Sequence, residues 1–202
     1  MGGRAGGGAS GGMGSRSRGG LANRLLSGSG VTDAELKRSL SEAIAQFDKE
    51  FGLPENVTIT MKDLGSQIGG SANGLNQVKI NSGYQDGRFD KSDAKKTLLH
   101  EFTHVLDKTD THHSANISGI KMKGATPVGQ LKNEYKVFDK KLTAAYKHFK
   151  ANYGSTSTKQ IGRYALKSKH EFFAEALSSH MTGTQNKYTT FAYNLAKSMS
   201  GK

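Results

Sequence analysis

The sequence contains no cysteine among its 202 residues, and no apolar run approaches the roughly 20 residues that a membrane-spanning helix needs. Without cysteine the chain can form neither a disulfide framework nor a thiolate metal site, so a bound metal would need histidine or carboxylate ligands. The N-terminus also lacks the apolar core of a secretory signal peptide. We therefore expect no membrane span and a location either in the cytoplasm of the producing cell or in a virion.

Acidic residues are also scarce, since 17 Asp and Glu stand against 29 Lys and Arg and give a net charge of +12. Residues 1–30 form a Gly/Ser/Arg-rich segment without any acidic residue. Such a segment cannot bury enough apolar area to offset the loss of chain entropy, so it is predicted to be a disordered leader. Its basic charge favours acidic partners such as nucleic acid, but no cluster of basic and aromatic residues supports that contact.

Residues 31–202 have the pattern of one folded domain that mixes helices and strands. Apolar residues at helical spacing and alternating residues indicate where the elements lie. Helices are predicted at about 32–51, 90–108, 127–150, 168–181 and 188–199, and strands at about 57–61 and 77–81. The Gly-rich segment 65–74 is predicted to be a loop. This order of elements predicts an α+β domain with a small sheet and a helical C-terminal half.

The main chemical signal is the pentapeptide His100-Glu101-Phe102-Thr103-His104. Positions i and i+4 share one face of a helix, so both imidazoles can point at one metal ion. Glu101 is rotated away from that face, but it can reach a water on the metal and act as its general base. Two imidazoles, a carboxylate and an open position are typical of catalytic zinc. The motif therefore predicts a zinc metallopeptidase.

The motif supplies two protein ligands, and a third must come from elsewhere. The extended pattern HExxHxxGxxH fails, because Asp107 and Asp110 stand where its glycine and third histidine would be. Asp110 can still ligate, as in the variant of this pattern that ends in Asp, although that variant also needs the glycine turn. Asp107 fits better as a hydrogen-bond acceptor behind the site or as a surface acid.

The later segment HEFFAEAL offers another carboxylate. Glu171 and Glu175 are spaced i, i+4 and share a helix face, while the apolar residues around them anchor the helix. One of the two can bind metal while the other accepts the second ring N–H of a ligating histidine. The simpler interpretation is an exposed pair of glutamates beside Lys167 and Lys169, so the third ligand stays open on these grounds.

The stretches HEFTHVLD and YALKSKHEFFAEAL together resemble the catalytic domain of anthrax lethal factor and its relatives, which include the secreted Pro-Pro endopeptidases. The resemblance implies a zincin-like metallopeptidase domain, with Zn²⁺ held by His100, His104 and Glu171. It also implies a zinc-dependent endopeptidase that acts on a protein or peptide substrate.

Further roles follow from the same resemblance. Glu101 is implied as the base, and Glu175 as a residue that supports the ligands from behind. Tyr164, seven residues before Glu171, is implied as the group that supports the oxyanion or a bound water. In such folds an edge strand before the active helix can bind an extended peptide, and Gln77–Asn81 is the predicted strand.

An alternative of another class stays open. The leader resembles the Gly-rich starts of proteins encoded beside phage head genes in Gram-positive bacteria. On that view the chain is phage-encoded and virion-associated, a head-associated or other structural or binding protein whose zincin-like domain has little or no peptidase activity.

Overall fold

The computed structural model describes residues 18–73, 76–107, 109 and 133–200. Its elements confirm the predicted α+β class, with a small mixed sheet and a helical C-terminal half. The helices are α1 (Arg18–Leu26), α2 (Ala34–Phe51), α3 (Gly83–Asp86), α4 (Ala94–Leu106), α5 (Asn133–Ala151), α6 (Thr156–Lys159), α7 (Lys169–Met181) and α8 (Lys187–Ser200). Short 3₁₀ helices at Lys91–Asp93 and Arg163–Leu166 precede α4 and α7. In this described part of the chain, no helix has both the length and the apolar character needed to cross a membrane.

The sheet consists of β1 (Thr58–Lys62), β2 (Gly70–Ala72) and β3 (Gln77–Asn81), in the order β1-β3-β2. β1 runs parallel to β3, and β2 runs antiparallel to it. The prediction that Gln77–Asn81 is an edge strand is therefore wrong, because β3 is paired on both sides. The edge that was missed is β2, which lies inside the Gly-rich segment predicted to be a loop.

The core lies where α2 and α4 pack together beside the sheet. α2 is capped by Asp33, whose Oδ1 accepts a hydrogen bond of 2.8 Å from the backbone N–H of Leu36. Its apolar face is buried along the whole helix, and the Phe47 ring lies 5.3 Å from the ring of Phe102 on α4. This packing fixes the rotation of α4 about its own axis.

α7 is anchored on its other side by α5. The rings of Phe172 and Phe149 lie 4.8 Å apart, and those of Phe173 and Phe138 lie 5.5 Å apart. Phe172 and Phe173 have no exposed surface. Because these aromatic side chains hold α7 against α5, the carboxylates that share another face of α7 are directed towards α4.

Helix α1 corrects the predicted extent of the leader. Its residues Ala22, Leu25 and Leu26 are 5%, 5% and 3% exposed and belong to the core. Three apolar residues at positions i, i+3 and i+4 give even this short helix one packed face. The folded part thus reaches back at least to residue 18, whereas residues 1–17 lie outside the described residues and their disorder stays a prediction.

Replacing Leu26 with Ala should lower the free energy of unfolding by about 2 kcal/mol, because a buried apolar side chain is truncated. The measurement is urea denaturation followed by circular dichroism. Asn23→Ala is the matched control, since Asn23 is exposed on the same helix. Equal stability of both variants would show that α1 does not pack on the domain.

Candidate metal centre

Helix α4 brings His100 and His104 together, one turn apart on one face. Their Nε2 atoms lie 3.2 Å apart, and their ring centroids lie 4.9 Å apart. The other sides of the helix are held by Leu98, Leu99 and Phe102, all of which are fully buried. The predicted i, i+4 geometry of the histidine pair is therefore present.

Helix α7 places a carboxylate beside this pair. Glu171 Oε2 lies 3.1 Å from His100 Nε2 and 3.4 Å from His104 Nε2. Ser168 caps α7 and its Oγ accepts a hydrogen bond of 3.1 Å from the backbone N–H of Glu171, which fixes the first turn of the helix. The two histidines and Glu171 form a group able to hold a metal ion.

The separations within this group are those expected of ligands around one ion. Atoms that lie about 2.0–2.1 Å from a tetrahedral metal lie about 3.3 Å from one another. The three observed separations are 3.1, 3.2 and 3.4 Å. Glu171 Oε2 is buried and accepts no well-directed hydrogen bond, although both imidazoles approach it. The three atoms therefore lie as close together as the ligands of one metal ion do.

The charges of the site favour a cation. Burial by itself would lower the pKa of His100, but the carboxylates of Glu171 and Glu175 raise it to about 9. Burial would raise the pKa of Glu171, but the imidazoles of His100 and His104 lower it to about 2. Both glutamates are therefore ionised at neutral pH, and their negative charge attracts a positive group to the space between α4 and α7.

Glu175 lies behind His100, where the sequence predicted a supporting residue. Its Oε1 is 3.2 Å from His100 Nδ1, the ring nitrogen that faces away from Glu171. Its Oε2 is 3.5 Å from Lys96 Nζ. Sequence reasoning missed Lys96, although its position one turn before His100 on the same helix was a usable signal.

An open cleft of about 740 Å³ lies over this group and is lined by His100, Glu101 and Tyr164 among others. Glu101 is only 6% exposed. Tyr164 belongs to the 3₁₀ helix before α7; it is 46% exposed, and its ring centroid lies 6.1 Å from that of His100. The Nζ atom of Lys167 lies 3.9 Å from the centroid of the Tyr164 ring. His100, Glu101, Tyr164 and Glu175 thus line one cleft, and His104 and Glu171 lie beside His100.

The edge strand β2 forms one wall of the cleft and was not predicted. A Cβ atom added at Gly70 would lie 2.9 Å from Thr97 Cγ2 and 3.0 Å from Glu101 Cγ. At Gly69 it would lie 2.6 Å from the hydroxyl of Tyr84. Only glycine therefore lets the strand backbone approach Glu101 so closely.

Of the two other acids considered as ligands from the sequence, only Asp107 belongs to the described residues, and it does not join the group. Asp107 is 4% exposed, and its Oδ2 lies 2.8 Å from His170 Nδ1, away from the three candidate ligands. Asp110, the alternative third ligand, lies outside the described residues.

A helix with the HExxH pattern beside an open cleft, with a carboxylate within reach as a third ligand, is the arrangement of a metallopeptidase. The family model of the glucose-regulated metallo-peptidase M90 matches residues 54–186, which is more than half of the chain, and the chain belongs to this family. The family implies a divalent metal and a protein substrate. No curated protein and no solved structure gives a significant match.

The Glu171→Ala variant should bind Zn²⁺ at least about 100-fold more weakly than the unchanged chain, because one of three candidate ligands is removed. Competition with a chromogenic chelator measures this affinity. Glu35→Ala, which removes an exposed carboxylate on α2, is the control and should bind normally. An unchanged affinity of Glu171→Ala would point to a different third ligand, such as Asp110.

Proposed function

We propose that the protein is a zinc-dependent endopeptidase of the HExxH-plus-Glu type, whose metal is held by His100, His104 and Glu171. The observation that carries the proposal is the convergence of their Nε2, Nε2 and Oε2 atoms, all within 3.4 Å of one another, at an open cleft. This ligand set is the one implied by the resemblance of the two motifs to the lethal factor catalytic domain.

Zinc is the metal that this donor set suits best. Imidazole nitrogens favour zinc and its neighbours among the transition metals, whereas magnesium and calcium prefer sites made of oxygen. Structural zinc sites use four protein ligands, whereas catalytic sites use three and leave one position open. Three candidate ligands beneath a cleft match the catalytic kind.

In the proposed reaction, Glu101 transfers a proton. Zinc bound at this site supplies Lewis acidity, which polarises the scissile carbonyl and lowers the pKa of the attacking water. The Glu101 carboxylate accepts the proton of that water and then delivers it to the nitrogen of the leaving amine. Its burial beside β2 restricts the side chain.

Two further residues support the reaction. The Tyr164 hydroxyl donates a hydrogen bond to the oxyanion that forms at the scissile carbonyl, and the position of its ring beside His100 supports this role. Glu175 accepts the Nδ1–H of His100, which orients the ring so that Nε2 is the nitrogen available to a metal.

An extended peptide is the substrate that the cleft suits. β2 is a sheet edge that borders the cleft, and such an edge can pair with a substrate chain by strand addition. A cleft that is open to solvent also accepts a chain that continues on both sides of the scissile bond, which is what an endopeptidase requires. The nucleic-acid contact of the leader, the cytoplasmic or virion location and the phage origin stay predictions.

The Glu101→Gln variant should keep one bound Zn²⁺ and lose about 10³-fold in cleavage rate, because the amide cannot accept the proton of the water. Cleavage is measured by mass spectrometry on a peptide library whose members are blocked at both ends, so that only internal cleavage is scored. Glu35→Gln is the control and should cleave normally. Full activity of Glu101→Gln would remove Glu101 as the base. Binding of zinc by the unchanged chain without any cleavage would favour the alternative binding or structural role.

The Tyr164→Phe variant should lower kcat by about 100-fold while KM changes little, because it removes a donor to the oxyanion but keeps the ring. Tyr153→Phe is the control, since Tyr153 is exposed and does not line the cleft. A variant whose KM rises while kcat is unchanged would instead make Tyr164 a substrate-binding residue.

A further inference from the structure

A buried hydrogen-bonded pair joins the two ligand helices outside the ligand group itself. His170 Nδ1 lies 2.8 Å from Asp107 Oδ2, and the side chains are 10% and 1% exposed. A carboxylate accepts hydrogen bonds, so the hydrogen of this contact belongs to Nδ1. The two residues are 63 positions apart in the sequence, and the contact therefore depends on how α4 and α7 are docked.

The Asp107 carboxylate is also fixed from its other side. Its Oδ1 accepts hydrogen bonds from the backbone N–H and the hydroxyl of Thr109, at 2.9 and 2.7 Å. The backbone N–H of Asp107 in turn donates to the carbonyl of Thr103 at 2.8 Å, within the last turn of α4. Asp107 is thus a rigid acceptor at the end of the helix that carries the two histidines.

The pair lies next to the candidate ligands on both helices. Asp107 follows His104 by three residues, and His170 directly precedes Glu171. Consecutive residues of a helix point about 100° apart, so a hydrogen bond at His170 fixes the direction of Glu171 as well. Because its Nδ1 atom is engaged by Asp107, His170 is directed away from the ligand group.

We propose that Asp107 and His170 are positioning residues, which hold α7 in the register that brings Glu171 to the two histidines. This inference rests on the ligand set of the proposed function and adds to it a link that contacts neither metal nor substrate. A metal site gains affinity when its ligands are already gathered, because less ordering is needed upon binding. Loss of the link should therefore appear first in metal affinity.

The test compares zinc affinity of full-length variants at position 170 by competition with a chromogenic chelator. His170→Leu removes the donor and should weaken zinc binding by about 10- to 100-fold, as for other residues that support metal ligands. His170→Asn can place an amide N–H where Nδ1 stands and should bind zinc nearly as well as the unchanged chain. His170→Gln carries the same amide one bond further out and should bind as weakly as His170→Leu.

Tyr193→Phe is the control for a general loss of stability. It removes the 2.7 Å hydrogen bond from Tyr193 to Glu50, which joins α8 to α2, two helices without a candidate ligand. It should lower the melting temperature of the metal-free protein without changing zinc affinity.

The variant set separates the inference from the proposed function. Wild-type zinc affinity in folded His170→Leu would overturn the positioning role and leave the ligand set intact. If His170→Leu does not fold, the Asn and Gln variants decide, and equal affinities for those two would also overturn it. Absence of zinc binding by the unchanged chain would overturn the ligand set and the inference together.

Discussion

The packing of α4 against α7 is the contact on which the candidate site depends. Each helix contributes only part of the ligand group, so the group exists only where the two helices meet. Neither helix could hold this arrangement alone, because an isolated helix of 13 residues is marginal in water. The aromatic contacts from α2 to α4 and from α5 to α7 therefore stabilise the site as well as the core.

Bringing the charged side chains of the candidate site together lowers the stability of the fold, although it forms the metal-binding group. Two carboxylates and two imidazoles are removed from water beside one another, which costs free energy unless each finds a partner. In the structure the partners are the opposite charges of the same group, with Lys96 beside Glu175. Such clusters are typical of functional sites, where stability is lower than an apolar core would provide.

The sequence predicted those helices and strands whose buried residues recur at the regular spacing of a helix or a strand. All six buried residues of α2 are apolar and recur at helical spacing, and β1 and β3 lie within one residue of the predicted bounds. β2 was missed because it is only three residues long and begins with glycine, so its strand conformation comes from pairing with β3 rather than from its own pattern. α1 was missed because its three buried residues are surrounded by glycine and arginine, and only tertiary packing makes that short face sufficient.

The candidate site, too, could be predicted only in part from the sequence. The i, i+4 pairs His100/His104 and Glu171/Glu175 could be read from the sequence, because helix geometry alone puts their members on one face. The distance between the pairs could not be read, since it depends on the docking of two helices. The link between Asp107 and His170 was hidden for the same reason, because neither residue belongs to a short-range pattern.

The close approach of Gly70 to Glu101 has a geometric consequence for any chain that pairs with β2. A Cβ atom added at Gly70 would lie 3.0 Å from Glu101 Cγ, so the strand lies close beside this side chain. A chain that pairs with the outer edge of β2 would therefore be held at a fixed distance from Glu101. Strands repeat every two residues, and such a chain can shift only in steps of that repeat. The backbone register of that pairing would then decide which peptide bond of the bound chain lies beside Glu101, before any side chain of that chain is recognised.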